Sequence, residues 1–296
     1  MSVPAAFAVV VLIWSTTPLG VKWSSSADVS FLEGVTLRML VAAVLASALL
    51  RALRIRRNYS LAAWRMHGMA ALGFFGAMLI VYWAAQYVPS ALIALMFGVA
   101  PLFAGVFGHW LLGERTLTPL RIASLFFALG GLALIFHGEI QVDARAAPAL
   151  AGLVLATMMY ALSGALIKRY RVIMHPLAQT SGSLWVTAGG FLLVWLISDA
   201  QVPVQIDSRT LSVILYLAVF GSILAFMLYF YLLNALPVTT VSLIPLLTPP
   251  MALVIGWAWA EESVTVNALV GGVFTLLSLA LYQWGDRGLR RLRSTG

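Results

Sequence analysis

The chain reads as long apolar stretches separated by short polar breaks. The stretches run for about 20 residues, without the strict alternation of a half-buried strand or the three-and-four spacing of a one-faced helix. Residues that are apolar on every side need an apolar solvent, so most of the chain is expected to lie in lipid. In lipid each backbone N–H and C=O needs an internal partner, which leaves helices or a closed barrel. A barrel strand takes about 10 alternating residues, so stretches twice that length predict helices. The pattern places them at 4–23, 30–50, 66–87, 89–112, 119–137, 148–168, 177–197, 210–233, 238–260 and 264–284. Pro89, Pro119, Pro148, Pro176 and Pro237 stand near the predicted starts, where a missing N–H costs least. The short connections predict one compact bundle. The first stretch has no basic residue before it and is interrupted by Trp14-Ser15-Thr16-Thr17-Pro18, so it reads as a membrane helix rather than a secretory signal.

Composition and charge sharpen this picture. Of 296 residues, 62% are hydrophobic and 9% charged. A soluble domain carries roughly a quarter charged residues, so this chain does not have enough to wet its surface. A net charge of +8 resembles a nucleic-acid signal, but the bases cluster between apolar stretches and no nucleic-acid partner is expected. Arg51, Arg54, Arg56, Arg57 and Arg65 follow the second stretch. Arg115 and Arg121 follow the fourth, Lys168, Arg169 and Arg171 the sixth, and Arg287, Arg290, Arg291 and Arg293 the tenth. With a cytoplasmic N-terminus these fourteen bases share the cytoplasmic side, against Lys22, Arg145 and Arg209 on the other. The outer loops hold most of the acids: Asp28, Glu139, Asp143, Asp199, Asp207, Glu261 and Glu262. The positive-inside rule therefore predicts two cytoplasmic termini and an even number of spans. There is no cysteine, and His67, His109, His137 and His175 show no metal-ligand spacing, so neither metal nor cofactor is expected.

The chain also matches itself. Displaced by 148 residues, Val88-Pro89-Ser90 meets Leu236-Pro237-Val238, Pro101 meets Pro249, Gly108 meets Gly256 and Glu114 meets Glu262. Displaced by 146, Trp14 meets Tyr160, Thr17 meets Ser163 and Lys22 meets Lys168. Each half then holds five helices, 1–146 and 147–296. Because five is odd, the second half enters the membrane inverted. Inverted repeats are the architecture of alternating-access transporters. An intramembrane enzyme would need a catalytic constellation; there is no His-Glu-x-x-His and no pair of membrane aspartates, and Ala161-Leu162-Ser163-Gly164 is a poor nucleophile motif. A channel remains a distinct alternative.

Further residues carry a family resemblance. Ile13-Trp14-Ser15-Thr16 with Lys22, Leu37-Arg38, Ser90-Ala91-Leu92 leading to Ala100-Pro101, Leu111 to Glu114, and Gly130-Gly131 to Gly138 form the first half of a pattern. Tyr160 to Lys168 and Pro237 to Pro249 and Glu262 repeat it. The pattern resembles the drug/metabolite transporter superfamily, EamA type, and within it the YddG-like exporters of aromatic amino acids. The resemblance implies ten helices in the bacterial cytoplasmic membrane and a central cavity lined by the first to fourth and sixth to ninth helices. The fifth and tenth would stand outside it. Two complete halves make a monomer sufficient.

Polar and aromatic groups at membrane depth mark the candidate site. Trp14 lies about 15 Å into the first helix at ~1.5 Å per residue, accompanied by Ser15 and Thr17, and Tyr160 and Ser163 repeat the pattern. Arg38 is a guanidinium inside the second helix, read either as a clamp for a substrate carboxylate or as half of an ion pair with Glu33. Tyr82, Trp83 and Gln86 end the third helix as Tyr229, Tyr231 and Asn234 end the eighth. Met96 and Phe97, Trp185, and Thr248 complete the expected lining, with Pro245, Pro249 and Pro250 distorting the ninth helix. Lys22 and Lys168 are candidate basic gates. No carboxylate lies in the middle of a predicted span, whereas an exporter of lipophilic cations is expected to need one. The residues thus suit a hydrophobic or aromatic amino acid. A cationic-drug exporter and a nucleotide-sugar or organic-phosphate carrier are the alternatives. The two halves are expected to rock about the site, with the ends of the third and fourth and of the eighth and ninth helices as gates.

Overall fold

A computed structural model of the chain describes residues 1–24, 29–84, 86–88, 90–137, 146–198, 207–260 and 265–294. Pro89, Asp28, Glu139, Asp143, Asp199, Glu261, Glu262 and the side chain of Lys22 lie outside what is described. The helices are α1 (Val3–Ser24), α2 (Phe31–Ala52), α3 (Leu61–Ala84), α4 (Ser90–Phe97 and Ala100–Leu112), α5 (Pro119–Ile135), α6 (Ala147–Arg169), α7 (Pro176–Ile197), α8 (Ser208–Ala235), α9 (Val238–Val241 and Ile244–Ala260) and α10 (Val266–Ser294). Among the described residues seven helical stretches are long and apolar enough to cross a membrane, and Val3–Thr17, Pro119–Ile135 and Val238–Ala252 are shorter apolar helices. The chain is an all-α integral membrane protein.

Side chains cap the helix starts. Ser30 and Glu33 form a capping box on α2, Ser60 accepts from the Ala63 N–H on α3, and Thr118 accepts from the Arg121 N–H on α5. Asp207 caps α8, where the Thr210 hydroxyl and then its backbone N–H hold the carboxyl below the usual carboxylate range. The Ser60 cap starts α3 at Leu61 rather than at the expected 66, because Arg65 belongs to the helix and not to the loop. Likewise α10 continues past 284, where the apolar stretch ends, and runs through Gly285 and Gly288 to Ser294.

Two helices depart from α geometry at matching places. α3 makes a π turn over Leu72–Ala77 and α8 another over Leu217–Leu224. Such turns widen the helix by one residue and concentrate at functional sites. At Gly73 the missing side chain admits Ser163 of another helix, and at Gly221 it admits the Arg38 guanidinium, with Thr17 in ordinary contact. A Cβ on Gly73 would stand 3.0 Å from Ser163 Oγ on α6, and a Cβ on Gly221 would stand 3.6 Å from Thr17 Oγ1 on α1. Thr17 and Ser163 are the pair aligned by the displacement of 146 residues.

The packing crosses the midpoint of the sequence. α1 packs on α8 and α9, α6 packs on α3 and α4, and α2 packs on α7. Rocking 1–146 against 147–296 would therefore tear α1 and α6 from their principal neighbours. The bodies supported by packing are α3, α4 and α6 on one side and α8, α9 and α1 on the other. α5 and α10 run against each other and touch the rest of the bundle far less. Their backbones meet at Gly131 and Gly271: a Cβ on Gly131 would lie 2.5 Å from Thr275 Oγ1 and 2.8 Å from the Gly271 carbonyl. Gly131→Leu is expected to cost about 1–3 kcal/mol by forcing this pair apart. A lower unfolding midpoint in detergent checks it.

Candidate functional site

The centre of the bundle is filled by rings. Trp14 of α1 lies 5.7 Å from Tyr229 and edge-on to Phe226 at 6.5 Å, both on α8. Phe74, inside the π turn of α3, stacks on Phe226 at 3.9 Å and 8°. Tyr229 lies 6.1 Å from Tyr160 of α6, which lies 6.0 Å from Phe97 of α4. Trp14, Phe97, Tyr160 and Tyr229, read from four separate helices, thus come together. Phe74, Phe226 and Phe230 were missed by the sequence reading, because an aromatic residue inside an apolar stretch carries no contrast with its neighbours.

Arg38 is 3% exposed. Its Nε donates to Ser222 Oγ at 3.0 Å, inside the α8 π turn, and Gly221 leaves room for Nη2, which would stand 3.0 Å from a Cβ there. Nη1 is buried and has no hydrogen-bond partner. Glu33 does not pair with it: the carboxylate accepts from the Ser30 N–H at 2.6 Å in the α2 capping box. Tyr82 of α3 lies within electrostatic range of the guanidinium, with its ring 6.3 Å from Phe31 and 6.4 Å from Phe191. Ser222 and Phe226 are four residues apart, so the guanidinium stands about one helical turn from the aromatic cluster. A buried guanidinium with a free donor offers a charge-assisted hydrogen bond to an acceptor such as a carboxylate.

The hydroxyls of α1 do less than their spacing suggests. Ser15 donates to Val11 O at 2.6 Å and Thr17 to Ile13 O at 3.0 Å, within their own helix. Ser163 instead crosses to Met69 O on α3 at 2.7 Å. Trp83 and Trp185 stand apart from the cluster. Trp83 is 41% exposed and packs on Tyr87 and Gly152; Trp185 is 40% exposed and donates to Ser47 Oγ at 2.9 Å. Gln86 is exposed, and Met96 packs in a separate apolar cluster around Leu153. Asn234 is exposed and bonds back to Phe230 O. In α9 the helix breaks at Ser242-Leu243 and then runs unbroken through Pro249 and Pro250. Pro249 has no N–H for the Pro245 carbonyl, and the Thr248 hydroxyl supplies the donor at 2.9 Å.

Lys168 joins the two packing bodies. Its ammonium, on α6, donates to Glu114 Oε1 at 2.7 Å and to the Leu236 carbonyl at 2.7 Å. Glu114, just past α4, accepts from the Val238 N–H at 3.1 Å through Oε2. The ammonium thus covers the carbonyl end of α8 and the carboxylate covers the amide end of α9, each the favourable sign for that helix end. Gly113 aims the carboxylate: at φ +68 it turns the chain so that the Glu114 N–H reaches Gly108 O at 3.0 Å. Gly113→Ala is expected to cost about 1 kcal/mol through the left-handed backbone, read as a lower unfolding midpoint that Gly113→Asn partly restores.

The comparisons with known proteins cover the same ground. The EamA-like transporter family matches residues 2–137 and 147–283. The chain belongs to that family. The EamA chain is 26% identical to a probable terminal-alkyne amino-acid exporter of Streptantibioticus cattleyicolor, over 96% of this chain and 97% of that protein. It is 27% identical to Protein PecM of Dickeya dadantii over 74% and 73%, and 22% identical to the uncharacterized transporter YoaV of Bacillus subtilis over 89% and 90%. A solved crystal structure superposes with a TM-score of 0.81 at 17% identity, covering 97% of this chain and 98% of that one, which establishes the shared fold. This EamA protein is accordingly a multi-pass membrane transporter.

Proposed function

We propose that the protein is an alternating-access exporter of hydrophobic or aromatic amino acids in the bacterial cytoplasmic membrane. In this reading it has ten spans in two inverted repeats, 1–146 and 147–296, with both termini cytoplasmic. The observation that carries the substrate class is Arg38: buried, one donor free, no carboxylate paired with it among the described residues, and one turn from the rings of Trp14, Tyr229 and Phe226. A substrate carboxylate would supply the missing acceptor and an apolar side chain would lie on the rings. The exporter from Streptantibioticus, named for amino-acid export, supports the class.

Access would alternate by rocking α3, α4 and α6 against α8, α9 and α1. In this reading the Lys168–Glu114 grip on the α8–α9 corner is the closure at the arginine-rich end. The test is counterflow into proteoliposomes preloaded with unlabelled substrate, run over aromatic, aliphatic and charged amino acids with a lipophilic cation alongside. Saturable counterflow of neutral bulky amino acids is expected. Counterflow of the cation alone would instead make the protein a cation exporter.

A further inference from the structure

A second site lies outside this centre, between the arginine-rich ends of α2, α3 and α7. Arg57, Asn58, Trp64, His67, Gly182 and Trp185 line a cavity of about 180 Å³, room for about six waters at ~30 Å³ each. Its wall is rich in donors and poor in acceptors. Arg57 makes one long hydrogen bond among the described residues, Nη2 to Ser181 Oγ at 3.4 Å. Asn58 spends its carbonyl on the Ser60 N–H at 2.9 Å, which leaves its amide N–H groups facing no protein acceptor among the described residues. No acid occurs in the sequence between Glu33 and Glu114, nor anywhere in α7.

The wall is also held in place. Trp185 Nε1 donates to Ser47, Ser47 lies 3.2 Å from Ser181, and His67 Nδ1 lies 3.3 Å from Ser183. Gly182 leaves the space that the His67 ring occupies. The turn that delivers Arg57 is strained: Arg54 has φ 54, where the helix-ending motif ordinarily takes glycine. Trp64 is 49% exposed and Trp185 40% exposed. Trp64 lies in the first turn of α3, the level of lipid headgroups, and Trp185 lies nine residues into α7, about 14 Å from its start at ~1.5 Å per residue, the level of acyl chains.

We propose that this cavity binds the phosphate of an anionic phospholipid, with Arg57 and Asn58 on the phosphate and the acyl chains along Trp64 and Trp185. A basic pocket between helices on the cytoplasmic side is suited to such a headgroup. The site is separate from the Arg38 centre and stands whether or not amino acids are the substrate.

The experiment is native mass spectrometry of the full-length protein in detergent, titrated with phosphatidylglycerol, with phosphatidylcholine, and with glycerol phosphate as competitor. One phosphatidylglycerol per chain is expected in preference to phosphatidylcholine. Arg57→Gln should weaken it roughly tenfold or more, and Ala178→Leu, which fills the cavity and keeps the charge, should weaken it as well. Arg51→Gln, an exposed arginine outside the cavity, should leave it unchanged. Equal loss in Arg57→Gln and Arg51→Gln would reduce the effect to diffuse charge and overturn the site. Equal binding of phosphatidylcholine would also overturn it. Displacement by glycerol phosphate at lipid-like concentrations would transfer the site to a soluble phosphate and overturn the lipid assignment.

Discussion

Arg38→Ala is expected to lower amino-acid counterflow by roughly 10- to 100-fold, the effect of losing a charged hydrogen bond worth about 1.5–3 kcal/mol. The loss should fall mainly on substrate affinity, because the guanidinium reads the carboxylate in the bound state. Arg38→Lys should recover part of it, since an ammonium keeps the charge but loses the fork that holds both Ser222 and a second acceptor. Trp14→Ala should weaken aromatic substrates more than small ones, because its ring faces Tyr229 and Phe226 rather than the guanidinium. Transport unchanged in both variants would place the substrate elsewhere in the bundle.

The second large effect is expected at the corner gripped by Lys168. Glu114→Gln and Lys168→Met should each open the arginine-rich end, and together they should do little more than either alone. The pair is only 15% and 23% exposed and carries two backbone contacts besides its own, so a coupling of about 1–2 kcal/mol is expected. That is roughly a tenfold shift in the ratio of closed to open molecules. The chain has no native cysteine, so spin labels at His109→Cys and Asn234→Cys, both exposed, report the distance between the α4 and α8 ends without background. A longer-distance population is predicted in either variant. Unchanged distances would remove the grip from the mechanism.

Much of the helical layout was legible because lipid imposes one pattern on every span. The apolar stretches marked the helices, because a span in lipid is apolar on every side. Arg38 was legible as a charge in an apolar setting, though its partner was not: Ser222 is remote in sequence and is presented by a π turn that no residue pattern announces. The contact of Phe74 with Phe226 was hidden for the same reason. The docking of α1 on α8 and α9 was also invisible. Short loops suggest that sequence neighbours pack together, and nothing along the chain says that the first helix of each half leaves its own half. Glu114 was read only as a repeated helix-terminal acid, and its bond to Lys168 required the α4 and α6 ends to be brought together in space.

The most direct test is competition in counterflow between an aromatic amino acid and its decarboxylated amine, which keeps the ring and the ammonium and lacks the group that Arg38 would hold. The amino acid should compete with itself at ordinary affinity, and the amine should fail to compete at concentrations roughly tenfold higher. An amine that competes as well as the amino acid, or is itself transported, would contradict a site that reads the carboxylate.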